Sequence, residues 1–170
     1  MQRCGMRGLV FAGLVLLAGV VLTPDARAQT AAERGKYLVM VAGCTDCHTP
    51  GHFLGNPDMT KYLGGSNVGF FIPDLGTFYG PNLTPDPETG LGKWTDDQVI
   101  HALQTGERPD GRVLAPTMPW RAYAGMKRSD VADIVAFLRS LTPVRNKVPG
   151  PFGPSEKATS FVFKILPPGG

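Results

Sequence analysis

Five consecutive residues constrain this chain more than any other feature: Cys44-Thr45-Asp46-Cys47-His48. Two thiols with two residues between them and a histidine directly after is the spacing of covalent haem attachment. Each sulfur can add to one vinyl group of a porphyrin, giving two thioethers, and the histidine is then delivered to the iron. A neutral imidazole is a good axial donor near pH 7. A thioredoxin-like redox pair would want a βαβ pattern around it, and none is visible. A zinc site would want four ligands. Beyond the pentapeptide, the chain past residue 28 has no cysteine and only His52 and His101. The motif implies one covalently attached haem c, with Cys44 and Cys47 as tethers and His48 on the metal.

The amino end reads as a secretory leader over residues 1–28. Arg3 and Arg7 precede the apolar run Gly8–Leu22, and Ala26-Arg27-Ala28 is a small-x-small cleavage site. The apolar run is shorter than the ~20 residues of a comfortable membrane span, so an uncleaved anchor is the weaker alternative. Export fits the cofactor, because the two thiols must be handled where disulfide chemistry is possible. A chain cut after Ala28 has no cysteine to spare for a disulfide, so haem has to act as the staple of a small domain. Most of the formal charge of +3 leaves with the leader's three arginines. The remaining basic residues are scattered, which argues against nucleic acid as a partner.

Ala31–Ala42 has apolar residues at helical spacing (Tyr37, Leu38, Val41, Ala42) and Gly43 to end it, so a helix runs into the motif. From Thr49 to Lys93 the chain is rich in proline and glycine, which excludes long helices. Asn67–Ile72 and Gly76–Tyr79 flank Pro73-Asp74-Leu75 and can form one short β-hairpin. Asn82-Leu83-Thr84 matches a glycosylation acceptor by pattern alone. Thr95–Thr105 is expected as a second helix, with Thr95 and Gln98 as a capping box. Ser129–Leu141 is expected as a third, capped by Ser129 and stopped by Pro143. A small domain at 29–144 would then carry a Pro-rich tail, 145–170, packed on it through Phe161–Leu166.

A histidine-bound haem iron is completed by methionine or a second histidine, or left open, and that choice separates electron transfer from chemistry at the metal. Met118 in Ala115-Pro116-Thr117-Met118-Pro119-Trp120 is the best candidate, because the flanking prolines stiffen the loop that offers its thioether. Met40 on the first helix, Met59 in the long loop and Met126 before the third helix are the rivals, with His52 and His101 behind them. Trp94 and Trp120 can line a haem pocket and donate an indole N–H to a propionate, or be ordinary core residues. Arg108 and Arg112 can pair with propionates, or sit in a solvated turn.

Further residues extend the pattern in order: Thr49-Pro50, Tyr62-Leu63-Gly64-Gly65, Gly80-Pro81-Asn82-Leu83-Thr84-Pro85-Asp86 and Thr89-Gly90-Leu91-Gly92 with Trp94. Thr105-Gly106, Arg108-Pro109-Asp110-Gly111, Met118-Pro119-Trp120, Val135-Ala136-Phe137-Leu138 and Leu141-Thr142-Pro143-Val144 follow. Over Ala31–Val144 this series resembles class I c-type cytochromes. It is most similar to the monohaem domains in the cytochrome subunits of bacterial membrane-bound alcohol and gluconate dehydrogenases. The resemblance implies a small all-α class I fold, with three main helices around one covalent haem, long Gly/Pro-rich loops and room for one hairpin. It implies a crossing of the first and last helices near Gly35 and Phe137, and Met118 as the sixth ligand.

The function expected is that of an exported, periplasmic bacterial electron carrier, not an enzyme. A dehydrogenase would be its donor and a terminal oxidase or another cytochrome its acceptor. Membrane contact would come only through an uncleaved leader or a docked partner. The alternatives are a dedicated electron-transfer subunit of a periplasmic dehydrogenase, and an open-site haem protein used for catalysis or gas sensing.

Overall fold

Thr30 begins the first helix in the computed structural model, which describes residues 29–165. The expected leader and its cleavage site lie outside the described residues, as do the last five residues of the tail. Helix α1 (Ala31–Val41) opens on a reciprocal box: the Thr30 hydroxyl accepts from the Glu33 amide, and the Glu33 carboxylate accepts from the Thr30 amide. Two amides that a helix start leaves without partners are thereby satisfied. Gly43 then adopts φ +67°, which only glycine takes freely, and the chain turns into α2 (Cys44–His48). The haem motif is therefore itself one helical turn.

The long loop contains the expected hairpin, β1 (Val68–Ile72) and β2 (Gly76–Tyr79), paired from Gly69↔Tyr79 to Ile72↔Gly76. Helix α3 (Asp96–Thr105) has both halves of the Thr95/Gln98 box and ends at Gly106 in the left-handed region. A short α4 (Trp120–Tyr123), not anticipated from the sequence, follows the Met118 loop. Helix α5 (Arg128–Ser140) starts one residue earlier than expected, so Ser129 is inside it and does not cap it; Lys127 holds the cap position without a side-chain bond. Asp130 instead serves α5 from its first turn, and reaches Arg34 of α1 at 3.4 Å.

Helices α1 and α5 cross where Gly35 sits. A Cβ at that position would overlap the Asp133 carbonyl oxygen and crowd the Phe137 Cβ. The absence of a side chain is what lets the two backbones meet, as the resemblance implied. Val39, Val131 and Val135 are buried at this crossing, with Leu63 from the long loop and Leu91, Val99 and Ile100 completing the core.

The tail is tied in by hydrogen bonds and not by its apolar run: Phe161, Phe163 and Ile165, expected to pack on the body, are exposed. The Val144 carbonyl accepts from Asn82 Nδ2 at 2.6 Å, and the Asn146 amide donates to Thr89 Oγ1 at 3.0 Å. Thr77 and Phe152 exchange backbone bonds in both directions, at 2.8 and 3.0 Å. Beyond them β3 (Phe161–Phe163) pairs in parallel with the free edge of β1, from Val68↔Phe161 to Phe70↔Phe163. The sheet order is β2-β1-β3. The described chain is thus mostly helical with a small three-stranded sheet, and the all-α expectation is corrected to that extent. A three-residue strand whose partner lies some ninety residues earlier leaves no periodic trace, and that is why the sequence does not reveal it. No helix among the described residues is long and apolar enough to cross a membrane.

Candidate haem site

Cys44, Cys47, His48, Trp94, Arg112 and Met118, all singled out from the sequence, line one cavity of about 330 Å³. Most of its remaining wall is apolar, with Val39, Leu103, Ile134 and Leu138 from the three long helices and Phe70 and Phe78 from the sheet.

The proximal side is ordered by a backbone carbonyl. His48 is buried, and its Nδ1 lies 2.7 Å from the Pro81 oxygen. A carbonyl can only accept, so Nδ1 carries the proton and Nε2 keeps its lone pair. Burial holds the His48 pKa below its ordinary value against the opposing pull of that bond, so the ring stays neutral. Gly80 makes the geometry possible: a Cβ there would overlap the Cys47 carbonyl oxygen and lie 3.3 Å from His48 Nδ1. The Gly80-Pro81 backbone can therefore press directly against the motif. Outer partners of this kind fix both ring orientation and tautomer in metal-ligating histidines.

Both thiols are free and partly buried. Burial raises the Cys44 thiol to about 11 and moves Cys47 in the same direction. Both sulfurs sit on the single turn of α2.

Across the chain, residues 106–114 fold into a small loop closed by Leu114 N–H donating to the Gly106 carbonyl at 2.8 Å. It brings Arg108 and Arg112 to the cavity, both near Asp110, at 3.3 and 4.0 Å. Arg108 also lies over the Trp94 ring, 5.0 Å from its centroid. Met118 follows in a tight turn, its amide donating to Ala115 at 2.9 Å while its carbonyl accepts from Trp120 at 2.8 Å. Trp120 is not on the cavity wall; it packs on Gly106, with its Nε1 buried and unpartnered among the described residues.

The rival ligands lie elsewhere. Met40 and Met59 are exposed, and Met126 packs against the core away from the cavity. His52 faces Asp46 at 3.2 Å and His101 faces Glu107 at 3.6 Å. Among the described residues no group of three or more His, Cys, Asp or Glu forms another metal site.

Several contributors were not legible in the sequence. The Pro81 carbonyl is one, since backbone acceptors leave no residue signature. Asn82 is another: it is almost fully buried, and its amide donates to Thr89 Oγ1 at 3.0 Å as well as to Val144. The glycosylation pattern there is corrected accordingly, because the acceptor nitrogen is a structural donor inside the fold. Val148, Pro149 and Pro151 of the tail form part of the cavity wall. Arg139 of α5 donates to the Leu91 carbonyl at 2.8 Å and also to the Trp94 carbonyl, holding the strand of chain that presents the Trp94 ring.

The donor set fits haem c. It offers two sulfurs on one turn, an imidazole with Nε2 free, a thioether, apolar walls, and guanidinium groups suited to carboxylates. The sequence matches the cytochrome c family model over residues 32–142. The cytochrome c subunit of the quinone alcohol dehydrogenase of Gluconobacter oxydans is 37% identical over 120 residues, 69% of this chain and 23% of that one. A diheme cytochrome c-type protein of Cereibacter sphaeroides is 35% identical over 134 residues, 78% of this chain and 44% of that one. A subunit of the nicotinate dehydrogenase of Pseudomonas putida is 34% identical over 119 residues, 69% of this chain and 9% of that one. This chain spans less than half the length of each of these relatives. With the haem motif, its neutral histidine and the surrounding cavity in place, the family match settles the classification: the chain belongs to the cytochrome c family.

Proposed function

We propose that the chain is an exported, periplasmic monohaem cytochrome c that passes single electrons between redox partners. Cys44 and Cys47 would tether the porphyrin, and His48 and Met118 would hold the iron. Helices α1, α3 and α5 make the class I arrangement around it. The leader is residues 1–28, the domain is 29–144, and a Pro-rich tail follows at 145–170.

The observation that carries this reading is the convergence of Cys44, Cys47, His48 and Met118 on one apolar cavity while every rival methionine lies outside it. When bound, haem supplies a one-electron iron couple. The protein's own part is to hold donors of fixed geometry and to exclude water. His48 contributes a neutral nitrogen, and the Met118 sulfur favours the ferrous state and raises the potential relative to a second histidine. Pro116 and Pro119 stiffen the loop, which keeps reorganisation small as the iron changes charge. Arg108 and Arg112 are the candidate partners of the propionates, and the Trp94 ring is their neighbour on the wall.

A second reading has a specific support. The relatives include proteins named as cytochrome subunits of alcohol, fructose and gluconate dehydrogenases. A dehydrogenase is accordingly the proposed electron donor, with this chain either a free carrier or a docked subunit. A terminal oxidase or another cytochrome is the proposed acceptor.

The test is the spectrum of the matured protein, oxidised and reduced, including the weak near-infrared sulfur-to-iron band. That band should be present, lost in Met118→Ala, and retained in Met59→Ala and Met126→Ala, with the potential falling in the first variant alone. A wild type that lacks the band and binds cyanide at once has an open site, and the carrier reading gives way to catalysis or sensing.

A further inference from the structure

Tyr123 ends α4, five residues past Met118, and its hydroxyl donates to the Ala42 carbonyl at 2.9 Å. Ala42 is the C-cap of α1, two residues before Cys44. One hydrogen bond therefore joins the segment that offers Met118 to the segment that carries the haem motif.

The other anchors of the Met118 segment all lead to α3 and its end. Leu114 N–H donates to the Gly106 carbonyl at 2.8 Å, the Trp120 ring packs on Gly106, and Gln104 Nε2 donates to the Met126 carbonyl at 3.2 Å. The bonds within residues 115–120 are local to the turn. Among the described residues, Tyr123 to Ala42 is the one hydrogen bond between residues 112–126 and residues 29–81. It also satisfies a carbonyl at a helix end, where no intrahelical donor is available.

We infer that the Tyr123 hydroxyl is a latch between the Met118 loop and the haem-motif segment, and that it sets how readily the thioether leaves the iron. This rests on the reading of Met118 as the sixth ligand. Tyr123 is a positioning residue: it lies off the cavity wall and acts through the loop it ties down. For Met118 to swing away with α4, the hydroxyl must give up a partly buried partner. Burial pushes the Tyr123 hydroxyl up to about 12, so the donor keeps its proton throughout the neutral range.

The experiment measures replacement of Met118 by added imidazole in the ferric holoprotein, for wild type, Tyr123→Phe and Tyr62→Phe. Tyr123→Phe keeps the ring and removes only the hydroxyl. Tyr62→Phe is the control, since among the described residues its hydroxyl meets only Thr45, at 3.4 Å, and no residue of the loop. The near-infrared band is recorded first. At saturating imidazole the exchange rate reports loop opening, and it should rise roughly threefold to tenfold in Tyr123→Phe, the range expected for one partly buried hydrogen bond. Tyr62→Phe should match wild type. A limiting rate unchanged in Tyr123→Phe, with the denaturation midpoint alone lowered, makes the bond a general brace and overturns the latch while Met118 ligation stands. A wild type with no sulfur-to-iron band overturns both.

Discussion

Asp86 is buried, yet its Oδ1 accepts from the Glu88 amide, the Thr89 amide and the Thr89 hydroxyl at 3.1, 2.6 and 2.8 Å. The Thr89 hydroxyl and amide, in that order, hold its carboxyl below the ordinary carboxylate range. A group whose folded pKa is depressed stabilises the fold above its unfolded value, and that contribution is lost as pH falls through the folded value. Asp86→Asn keeps an acceptor but not the charge. Its stability deficit against wild type should be complete at pH 7 and shrink steadily as pH drops below the usual carboxylate pKa. Parallel denaturation curves at both ends of that range would show the carboxylate to be dispensable. Asp86 and Glu88 are alike in the sequence, and only the fold reveals which of the two carboxylates faces inward. His48 illustrates the same boundary: its candidacy as a ligand is legible from spacing, while its tautomer depends on Pro81, 33 residues away.

Among the elements, helix starts were more legible where a box of two side chains specifies them. Thr95 with Gln98 places the cap of α3 to the residue, whereas Ser129, without a partner three residues on to answer it, misplaces the cap of α5 by two. The crossing of α1 and α5 makes a sharper demand. Gly35→Ala puts a methyl group into the Asp133 carbonyl, and relief requires the two helices to separate. Overpacking of this kind typically costs about 1–3 kcal/mol, and thermal denaturation of the holoprotein should show a clearly lowered midpoint. A midpoint equal to wild type would mean that the helices slide apart without loss. The neighbouring Arg34–Asp130 pair offers little compensation, since both side chains are partly exposed and such pairs contribute about 0–1 kcal/mol.

At the scale of the whole molecule, the cavity of about 330 Å³ governs stability as well as chemistry. Without the cofactor, the apolar lining of Val39, Leu103, Ile134 and Leu138 faces water, and that loss of burial is set against a total of only roughly 5–15 kcal/mol for an ordinary domain. Cys44→Ala/Cys47→Ala, which cannot retain haem covalently, should lose its near-ultraviolet circular dichroism and its resistance to protease when the cofactor is removed. A cooperative unfolding transition in that haem-free variant would show that the helices and sheet suffice on their own. The sequence pointed to this dependence through the lack of any cysteine past residue 28 other than Cys44 and Cys47. It did not point to how the cavity is closed, because the closing residues carry no ligand chemistry. Val148, Pro149 and Pro151 are ordinary members of a Pro-rich stretch until Thr77, Asn82 and Thr89 are seen to hold the chain around them in place. That late wall imposes a chronology. A polypeptide is made from its amino end, so Cys44, Cys47 and His48 exist long before the residues that seal the pocket are joined to the chain. Residues 148–151, which complete the cavity wall, come late in that order.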